Sequence, residues 1–146
     1  MRVLLVGAHE YPMYAPAWAR GQRELGLEVT EWDWTKSLSG GLVGRLERRF
    51  FVGPGIAKVR RELSLRAAES AADVVLLYAL AAVDIPTVKA LGRQHWVAGY
   101  HNDDPFGKYG GQPGLRAWKR VMPHFHSHHV FRCKNVFEYQ NCGVQR

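Results

Sequence analysis

Short continuous runs of apolar residues alternate along this chain with longer segments in which apolar residues recur every three or four positions. The first run, Val-Leu-Leu-Val at residues 3–6, ends at Gly7 and is typical of a strand buried on both faces. Similar β-rich runs predict four further strands, at residues 29–33, 74–78, 96–100 and 130–131. The two alternating patterns indicate strands separated by helices.

Helices are predicted between these strands from apolar spacing and from start and stop signals. Pro16 suits the first turn of a helix on which Trp18 and Leu25 share a face, and Gly26 supplies its left-handed end. A longer apolar stripe, with arginines on the other faces of its helix, comprises Ile56, Val59, Leu63, Ala67 and Ala71.

Three more helices are predicted in the second half of the chain. One spans residues 84–92, a second spans residues 115–122, and Asn135 caps the last. Residues 37–55 are rich in glycine and basic side chains, and this composition predicts an irregular segment.

This order of elements predicts an α/β fold of the Rossmann-like, doubly wound type. Strands that alternate with helices are joined by right-handed crossovers, which produce a parallel sheet of about five strands with helices on both faces. With 146 residues and no convincing linker, the chain is expected to form a single domain, residues 1–146. Such sheets bind ligands beyond the carboxyl ends of their strands, so functional residues are expected in the loops at that edge.

Composition narrows the class of protein. The chain is 47% hydrophobic, which is typical of a folded globular domain, and no apolar stretch approaches the roughly 18 residues that a membrane-spanning helix needs. No signal-peptide pattern begins the chain, and Cys133 and Cys142 form neither a disulfide framework nor a Cys-x-x-Cys motif. We therefore expect a cytoplasmic protein.

The positive charge is concentrated in one stretch. The net charge is +7, and residues 45–66 hold seven of the 20 Lys and Arg residues but only two of the 13 Asp and Glu residues. A basic face suits an anionic lipid surface, a phosphorylated substrate or nucleic acid, although a solvated helix face has the same composition. Because no base-stacking aromatic residues are interleaved with these charges, nucleic acid is not expected as a partner.

Two common nucleotide-binding motifs are missing. The dinucleotide fingerprint needs three glycines at fixed spacing, and only Gly7 follows the first strand. Gly107 and Lys108 lack both the earlier glycine and the following Ser or Thr of a P-loop. Binding of NAD or FAD and P-loop ATP chemistry are therefore not expected.

The densest polar cluster of the chain follows the fourth predicted strand. His101, Asn102, Asp103 and Asp104 are consecutive there, and Pro105 restricts Asp104 to extended backbone. At the carboxyl end of a strand such a carboxylate can act as a base or bind a sugar hydroxyl. The alternative is an Asx turn, in which an aspartate only caps the backbone that follows it.

No metal site is predicted. Neighbouring side chains on an extended backbone diverge, so Asp103 and Asp104 are poorly placed to chelate one ion. If extended, the histidine-rich run before the fifth strand would place His124, His126 and His128 on one face, but no nearby acid or cysteine completes a zinc site. The run is interpreted as the polar approach to that strand.

Arg132 and Asn135 follow the predicted fifth strand and therefore belong to the same edge of the sheet. Arg132 can bind a phosphate or carboxylate through two hydrogen bonds, and a helix that begins at Asn135 favours an anion. Plain helix capping by Asn135 is the alternative. Cys133 has no identifiable partner base, which gives a nucleophilic role little support.

Four segments together resemble a known family. They are RVLLVG at residues 2–7, LGLEV at 25–29, YHNDDPFG at 100–107 and FRCKNVFEYQNCGV at 131–144. The combination is similar to the amino-terminal half of the GT-B glycosyltransferases, and most of all to the CgeB-like spore-maturation proteins. The resemblance spans nearly the whole chain, and its last two segments are the more specific ones.

The resemblance implies transfer of a sugar from a nucleotide donor to an acceptor, in a cleft between two Rossmann-like domains. The amino-terminal domain of such enzymes contacts the acceptor, sometimes supplies the base, and usually needs no metal. For this chain the implied catalytic residues are His9, His101, Asp103 and Asp104. The implied substrate-binding residues are Gly7, Glu10, Tyr11, Asn102, Arg132 and Asn135.

The resemblance also implies partners. The family continues into a second domain that binds most of the nucleotide sugar, whereas this sequence stops at Arg146. We therefore expect a sugar or glycan acceptor, a separate donor-binding domain, no cofactor beyond the nucleotide-sugar donor, and little activity from the chain alone. A second copy could cover an exposed ligand edge and form a homodimer. The alternatives are a non-catalytic module for a nucleotide or sugar phosphate, and an adaptor whose basic stretch, Arg45 to Arg66, contacts an anionic membrane.

Overall fold

The computed structural model describes residues 1–130 and 132–144, and a sheet of five parallel strands lies at its centre. The strands lie in the order β2-β1-β3-β4-β5, and each neighbouring pair is parallel. This confirms the predicted doubly wound α/β fold, whose connections change direction between β1 and β3. The strands are β1 (Arg2–Gly7), β2 (Glu28–Asp33), β3 (Val74–Tyr78), β4 (Trp96–Tyr100) and β5 (Ser127–His129).

Six α-helices flank the sheet within the described residues. They are α1 (Ala15–Glu24), α2 (Gly41–Phe50), α3 (Pro54–Glu69), α4 (Ile85–Leu91), α5 (Pro113–Val121) and α6 (Cys133–Asn141). Two 3₁₀ turns, Trp34–Ser37 and Met122–His124, follow β2 and α5. In this part of the chain no helix combines the length and the apolar character needed to cross a membrane.

Two helix ends follow the signals that predicted them. Gly26, just beyond α1, has a φ of 80°, in the left-handed region that glycine adopts without steric cost. The Asp84 carboxylate accepts a hydrogen bond from the backbone N–H of Thr87 at 3.0 Å and so caps α4. Local chain chemistry therefore sets the ends of these helices.

The two faces of the sheet bury separate cores. Successive residues of β1 point to opposite faces, with Leu4 and Val6 in the larger core and Val3 and Leu5 in the smaller one. The larger core includes the inward faces of α3, α4 and α5, and Trp118 is fully buried in it. The smaller core is covered by α1.

The inward face of α1 differs from the prediction. Ala15 and Ala19 are buried against the sheet, whereas Leu25 lies beyond the helix with 80% of its surface exposed, and Trp18 is only partly buried. Gly7 faces this side of α1, since a Cβ at position 7 would lie 2.6 Å from the Cβ of Ala15. Gly7 therefore allows β1 and α1 to approach closely.

The prediction of an irregular segment at residues 37–55 is wrong, because α2 and the start of α3 lie there. Gly53, with a φ of 121°, separates the two helices. The buried Glu47 holds them together: its carboxylate accepts hydrogen bonds from the backbone N–H of Ser39 at 2.9 Å and of Gly55 at 2.6 Å. The Ser39 donor lowers the pKa of Glu47, although burial acts in the opposite direction.

The carboxyl-terminal elements are also displaced from their predicted positions. β5 lies within the histidine-rich run rather than at residues 130–131, and Phe131 is outside the described residues. Gly99 of β4 leaves room for the His128 ring, which lets this run pair with β4. α6 has Arg132 as its N-cap, so Asn135 is the third residue of the helix and not its cap.

We expect Gly7→Ala to lower the free energy of unfolding by about 1–3 kcal/mol, because the new methyl group overpacks the contact between β1 and α1. The matched control is Gly21→Ala within α1, where a Cβ would meet no atom within 4 Å. That change should raise the free energy of unfolding by roughly 0.5–1 kcal/mol through helix propensity. Urea denaturation measures both effects, and equal effects would contradict the packing role of Gly7.

Candidate functional site

A cavity of about 640 Å³ lies at the carboxyl ends of β3 and β4. Its wall is formed by the residues just after β3, the loop after β4, the start of α5 and the end of α2. His101, Asn102, Asp103, Asp104 and Arg132, all singled out in the sequence, line it together. The cavity lies at the sheet edge where doubly wound folds bind their ligands.

Asp104 holds the loop after β4 in place. Its Oδ1 accepts hydrogen bonds from the backbone N–H of Phe106 at 3.0 Å and of Gly107 at 3.1 Å, and from Asn135 Nδ2 at 2.9 Å. Its Oδ2 lies 2.6 Å from Lys134 Nζ. The Lys134 ammonium, together with these donors, lowers the pKa of Asp104 to about 2. Asp104 therefore forms the Asx turn that the sequence allowed, and it also anchors α6.

Asn135 and Arg132 approach the same carboxylate from α6. Asn135 is buried, and its Nδ2 donates a hydrogen bond to Glu138 Oε2 at 2.6 Å as well as to Asp104. Arg132 Nη1 lies 3.4 Å from Asp104 Oδ2, and Arg132 also lines the cavity. The buried Asn135 side chain thus connects α6 to the loop after β4, whereas the Arg132 side chain forms part of the cavity wall.

Asp103 has a different environment from its neighbour. It is exposed and lines the cavity, and its carboxylate makes no hydrogen bond or ion pair with the residues that the structure describes. Its backbone N–H donates to His101 Nδ1 at 3.1 Å. His101 packs edge-on against Trp118, and burial lowers its pKa. Because Nδ1 accepts this hydrogen bond, the neutral His101 ring carries its proton on Nε2. The Asp103 carboxylate, which has no hydrogen bond or ion pair of its own with the described residues, is available to a ligand.

A tyrosine cluster that the sequence did not single out lies beside Asp103. Tyr78 ends β3 and Tyr100 ends β4, and their ring centroids are 5.0 Å apart. Burial, with Tyr100, Tyr14 and the Asp103 carboxylate nearby, raises the pKa of Tyr78 to about 12. Tyr78 thus stays a neutral phenol at physiological pH. Its position as the last residue of a predicted strand was the signal that could have identified it.

The loop after β1 does not meet this cavity in the way the resemblance implied. His9 lies in a depression beside β2, where its Nε2 is 3.8 Å from Glu31 Oε2. Gly7 is buried against α1, and Tyr11 is exposed, with its ring edge-on to Tyr14 at 5.7 Å between centroids. His9, Gly7 and Tyr11 are therefore not among the described residues that line the cavity with Asp103.

Three cationic residues of the cavity were not predicted as site residues. Two lie on α2, a helix that was not predicted, and the third lies in the loop after β4, where no motif points to it. Arg48 and Arg49 lie in the last turn of α2, and Lys108 belongs to the loop after β4. Glu10, from the loop after β1, forms an ion pair with Arg48 and so reaches the cavity wall indirectly. Within residues 1–130 and 132–144, Arg49 and Lys108 make no ion pair, although Lys108 Nζ lies over the Tyr109 ring at 5.8 Å from its centroid.

The histidine-rich run packs against the larger core. His126 Nδ1 accepts a hydrogen bond from the backbone N–H of Val97 at 2.9 Å, and His128 Nε2 donates to the carbonyl oxygen of Met122 at 3.0 Å. Burial lowers the pKa of His128 to about 4. Among the described residues, no group of three or more His, Cys, Asp and Glu side chains could hold a metal ion.

The fold and the cavity define a doubly wound α/β domain with a polar, cation-lined site at the carboxyl edge of its sheet. A comparison of the chain with protein-family models and with curated proteins finds no match. The function is therefore argued from the residues of this cavity.

We expect Asp104→Asn to lower the free energy of unfolding by about 1–3 kcal/mol at neutral pH, because it removes the charge that Lys134 and the N–H donors stabilise. The pKa of Asp104 is lowered to about 2 in the folded state. Its contribution is therefore complete above about pH 4 and is lost as the pH falls from there towards 2. Chemical denaturation of both proteins at several pH values measures the difference, which should shrink in that range.

Asp103→Asn is the matched control. Because Asp103 is exposed and its carboxylate makes no hydrogen bond or ion pair with the described residues, we expect its substitution to change the free energy of unfolding by no more than about 0.5 kcal/mol. A larger loss of stability from Asp103→Asn than from Asp104→Asn would contradict the division of roles between the two aspartates.

Proposed function

We propose that this chain is the acceptor-side domain of a GT-B-type glycosyltransferase, which binds a sugar or glycan acceptor in the cavity. The observation that carries the proposal is the difference between two adjacent aspartates: internal contacts fix Asp104, while the carboxylate of Asp103 lines the cavity without a hydrogen bond or ion pair to the described residues. The Asp104 contacts also tie this loop to Lys134 and Asn135. The two most specific segments of the family resemblance thus form one unit.

In this proposal Asp103 acts as the base of an inverting transfer. The acceptor hydroxyl gives its proton to the Asp103 carboxylate while its oxygen forms a bond to the anomeric carbon of the donor sugar. The bond from that carbon to the phosphate oxygen breaks, and its electron pair leaves with the nucleoside diphosphate. The contacts of His101 and Asp104 hold the backbone on both sides of Asp103, which suits a base that must stay in position.

The polar residues among the rest of the cavity lining suit a polar acceptor. Asn102 offers both donors and an acceptor to sugar hydroxyls, while Arg49 and Lys108 offer donors to hydroxyl or phosphate oxygens. The nucleotide part of the donor is assigned to a separate domain, in line with the resemblance of the sequence to two-domain enzymes.

Saccharide binding tests the acceptor role. We expect saturation-transfer NMR of the chain with monosaccharides, disaccharides and sugar phosphates to identify at least one ligand. Asp103→Asn should weaken that ligand about tenfold, as expected for the loss of a charged hydrogen-bond acceptor. The matched control is Glu28→Gln, which neutralises an exposed carboxylate at the opposite end of the sheet and should leave binding unchanged. A panel in which no saccharide binds would contradict the proposal.

Transfer tests the catalytic role. In the intact native polypeptide that carries these residues, with a panel of nucleotide sugars as donors, Asp103→Asn should lower kcat by about a hundredfold or more, since it removes general base catalysis. Glu28→Gln should leave kcat unchanged. Transfer at the full rate by Asp103→Asn would show that Asp103 is not the base, even if saccharide binding is confirmed.

A second candidate function is favoured by the cations of the cavity, namely a non-catalytic module for a nucleotide or sugar phosphate. Arg49 and Lys108 line the cavity without ion pairs to the described residues, while the acid Asp104 is already paired with Lys134. Calorimetry of the chain with nucleotides and nucleotide sugars separates the two candidates. Micromolar nucleotide binding that Arg49→Ala removes would favour the module, and saccharide binding without nucleotide binding would favour the acceptor domain.

A further inference from the structure

α2 presents an apolar face to solvent, although it belongs to a packed domain. Leu42, Leu46 and Phe50 follow one another at four-residue spacing and expose 70%, 49% and 54% of their surface. Val43, also more than half exposed, adjoins this face. We refer to these four residues as the α2 stripe. A continuous exposed apolar surface of this kind marks a contact site.

The opposite side of α2 fixes the direction in which the stripe points. Glu47 is buried there and accepts the hydrogen bonds of the Ser39 and Gly55 N–H groups. Gly44 is also on that side, where a Cβ would overlap the carbonyl oxygen of Ser39. A rotation of α2 that turned the leucines inwards would break both hydrogen bonds of Glu47. It would also bring a residue larger than glycine to the place of Gly44, where its Cβ would overlap the carbonyl oxygen of Ser39. The domain itself therefore holds the stripe outward.

Positive charge adjoins the stripe. Arg45 and Arg49 are exposed and lie one turn apart along it, and the one acid of α2, Glu47, is buried. The exposed surface of α2 thus combines apolar side chains with cations and carries no anion, which is the composition of helices that lie on anionic bilayers. Two copies of the chain that met through α2 would bring their arginines together, which is unfavourable.

Two of the three arginines of α3, Arg60 and Arg66, contact other side chains of the domain. Arg60 Nη1 lies 2.9 Å from Asp84 Oδ2, and the Arg66 guanidinium lies over the Trp32 ring at 5.2 Å from its centroid. Both side chains are therefore engaged within the domain. Contact with an anionic membrane is one alternative for residues 45–66, and within this stretch α2 combines exposed cations with an exposed apolar face.

We propose that α2 docks the protein on an anionic phospholipid surface, with the α2 stripe in the boundary between headgroups and acyl chains and Arg45 on lipid phosphates. This role goes beyond sugar transfer and does not depend on it. Because Arg48 and Arg49 of the same helix line the cavity, docking brings the cavity close to the lipid surface.

Co-sedimentation with lipid vesicles tests the proposal. The 146-residue chain is mixed with vesicles of phosphatidylcholine alone, or of equal parts phosphatidylcholine and phosphatidylglycerol. We expect binding to the mixed vesicles, with a partition coefficient that Arg45→Gln lowers about fivefold and Leu42→Ser/Leu46→Ser lowers about tenfold or more. The matched control, Leu25→Ser/Leu65→Ser, removes two exposed leucines outside α2 and should leave binding unchanged.

Circular dichroism confirms that each variant is folded, and sedimentation velocity gives its oligomeric state. Failure to bind the mixed vesicles, or binding that the double substitution in α2 leaves unchanged, would overturn the proposal, as would an equal loss in the control. If the chain self-associates in solution, ignores vesicles and becomes monomeric on substitution of α2, the stripe is a contact between copies and the lipid proposal is wrong.

Discussion

The carboxylate of Asp104 joins the parts of the molecule on which the cavity depends. Backbone N–H groups of the loop after β4 bind one of its oxygens, and the ammonium of Lys134 at the start of α6 lies against the other. The ionised Asp104 carboxylate has little exposure to water, so it is stable only while these donors bind it. Without them, the charge would carry the full free-energy cost of its desolvation. The neighbouring Asp103 is held at the cavity by these Asp104 contacts and by its own backbone hydrogen bond to His101, while its carboxylate makes neither a hydrogen bond nor an ion pair with the described residues.

Glu47 has the equivalent role for α2. Its two backbone hydrogen bonds set the rotation of the helix about its axis, and that one rotation has two consequences. It carries Arg48 and Arg49 to the cavity wall, and it turns Leu42 and Leu46 to solvent. A helix of ten residues therefore contributes both to a ligand cavity and to an exposed surface, and a polar contact rather than an apolar one decides how it is placed.

The sheet could be predicted from the sequence because buried parallel strands leave continuous apolar runs, and residues 74–78 and 96–100 coincide with β3 and β4. α2 could not, since it packs through a glutamate and a glycine, which pattern analysis assigns to surfaces and to breaks. β5 was misplaced for a related reason: its three residues, Ser-His-His, join the sheet through backbone pairing with β4 and leave no apolar run.

The site could be predicted where its residues share one loop, as His101 to Asp104 do. The different roles of Asp103 and Asp104 could not be predicted, because Lys134 and Asn135 create that difference from 30 and 31 positions further along the chain than Asp104. His9 shows the limit of the sheet-edge rule. The rule places a loop residue at the carboxyl edge of the sheet. It does not say where along that edge the residue lies, because that depends on the order of the strands across the sheet. In the order β2-β1-β3-β4, His9 follows β1 and lies against Glu31 of β2, whereas Asp103 follows β4, two strand spacings or roughly 10 Å from β1. Two residues at the same edge can therefore line different depressions.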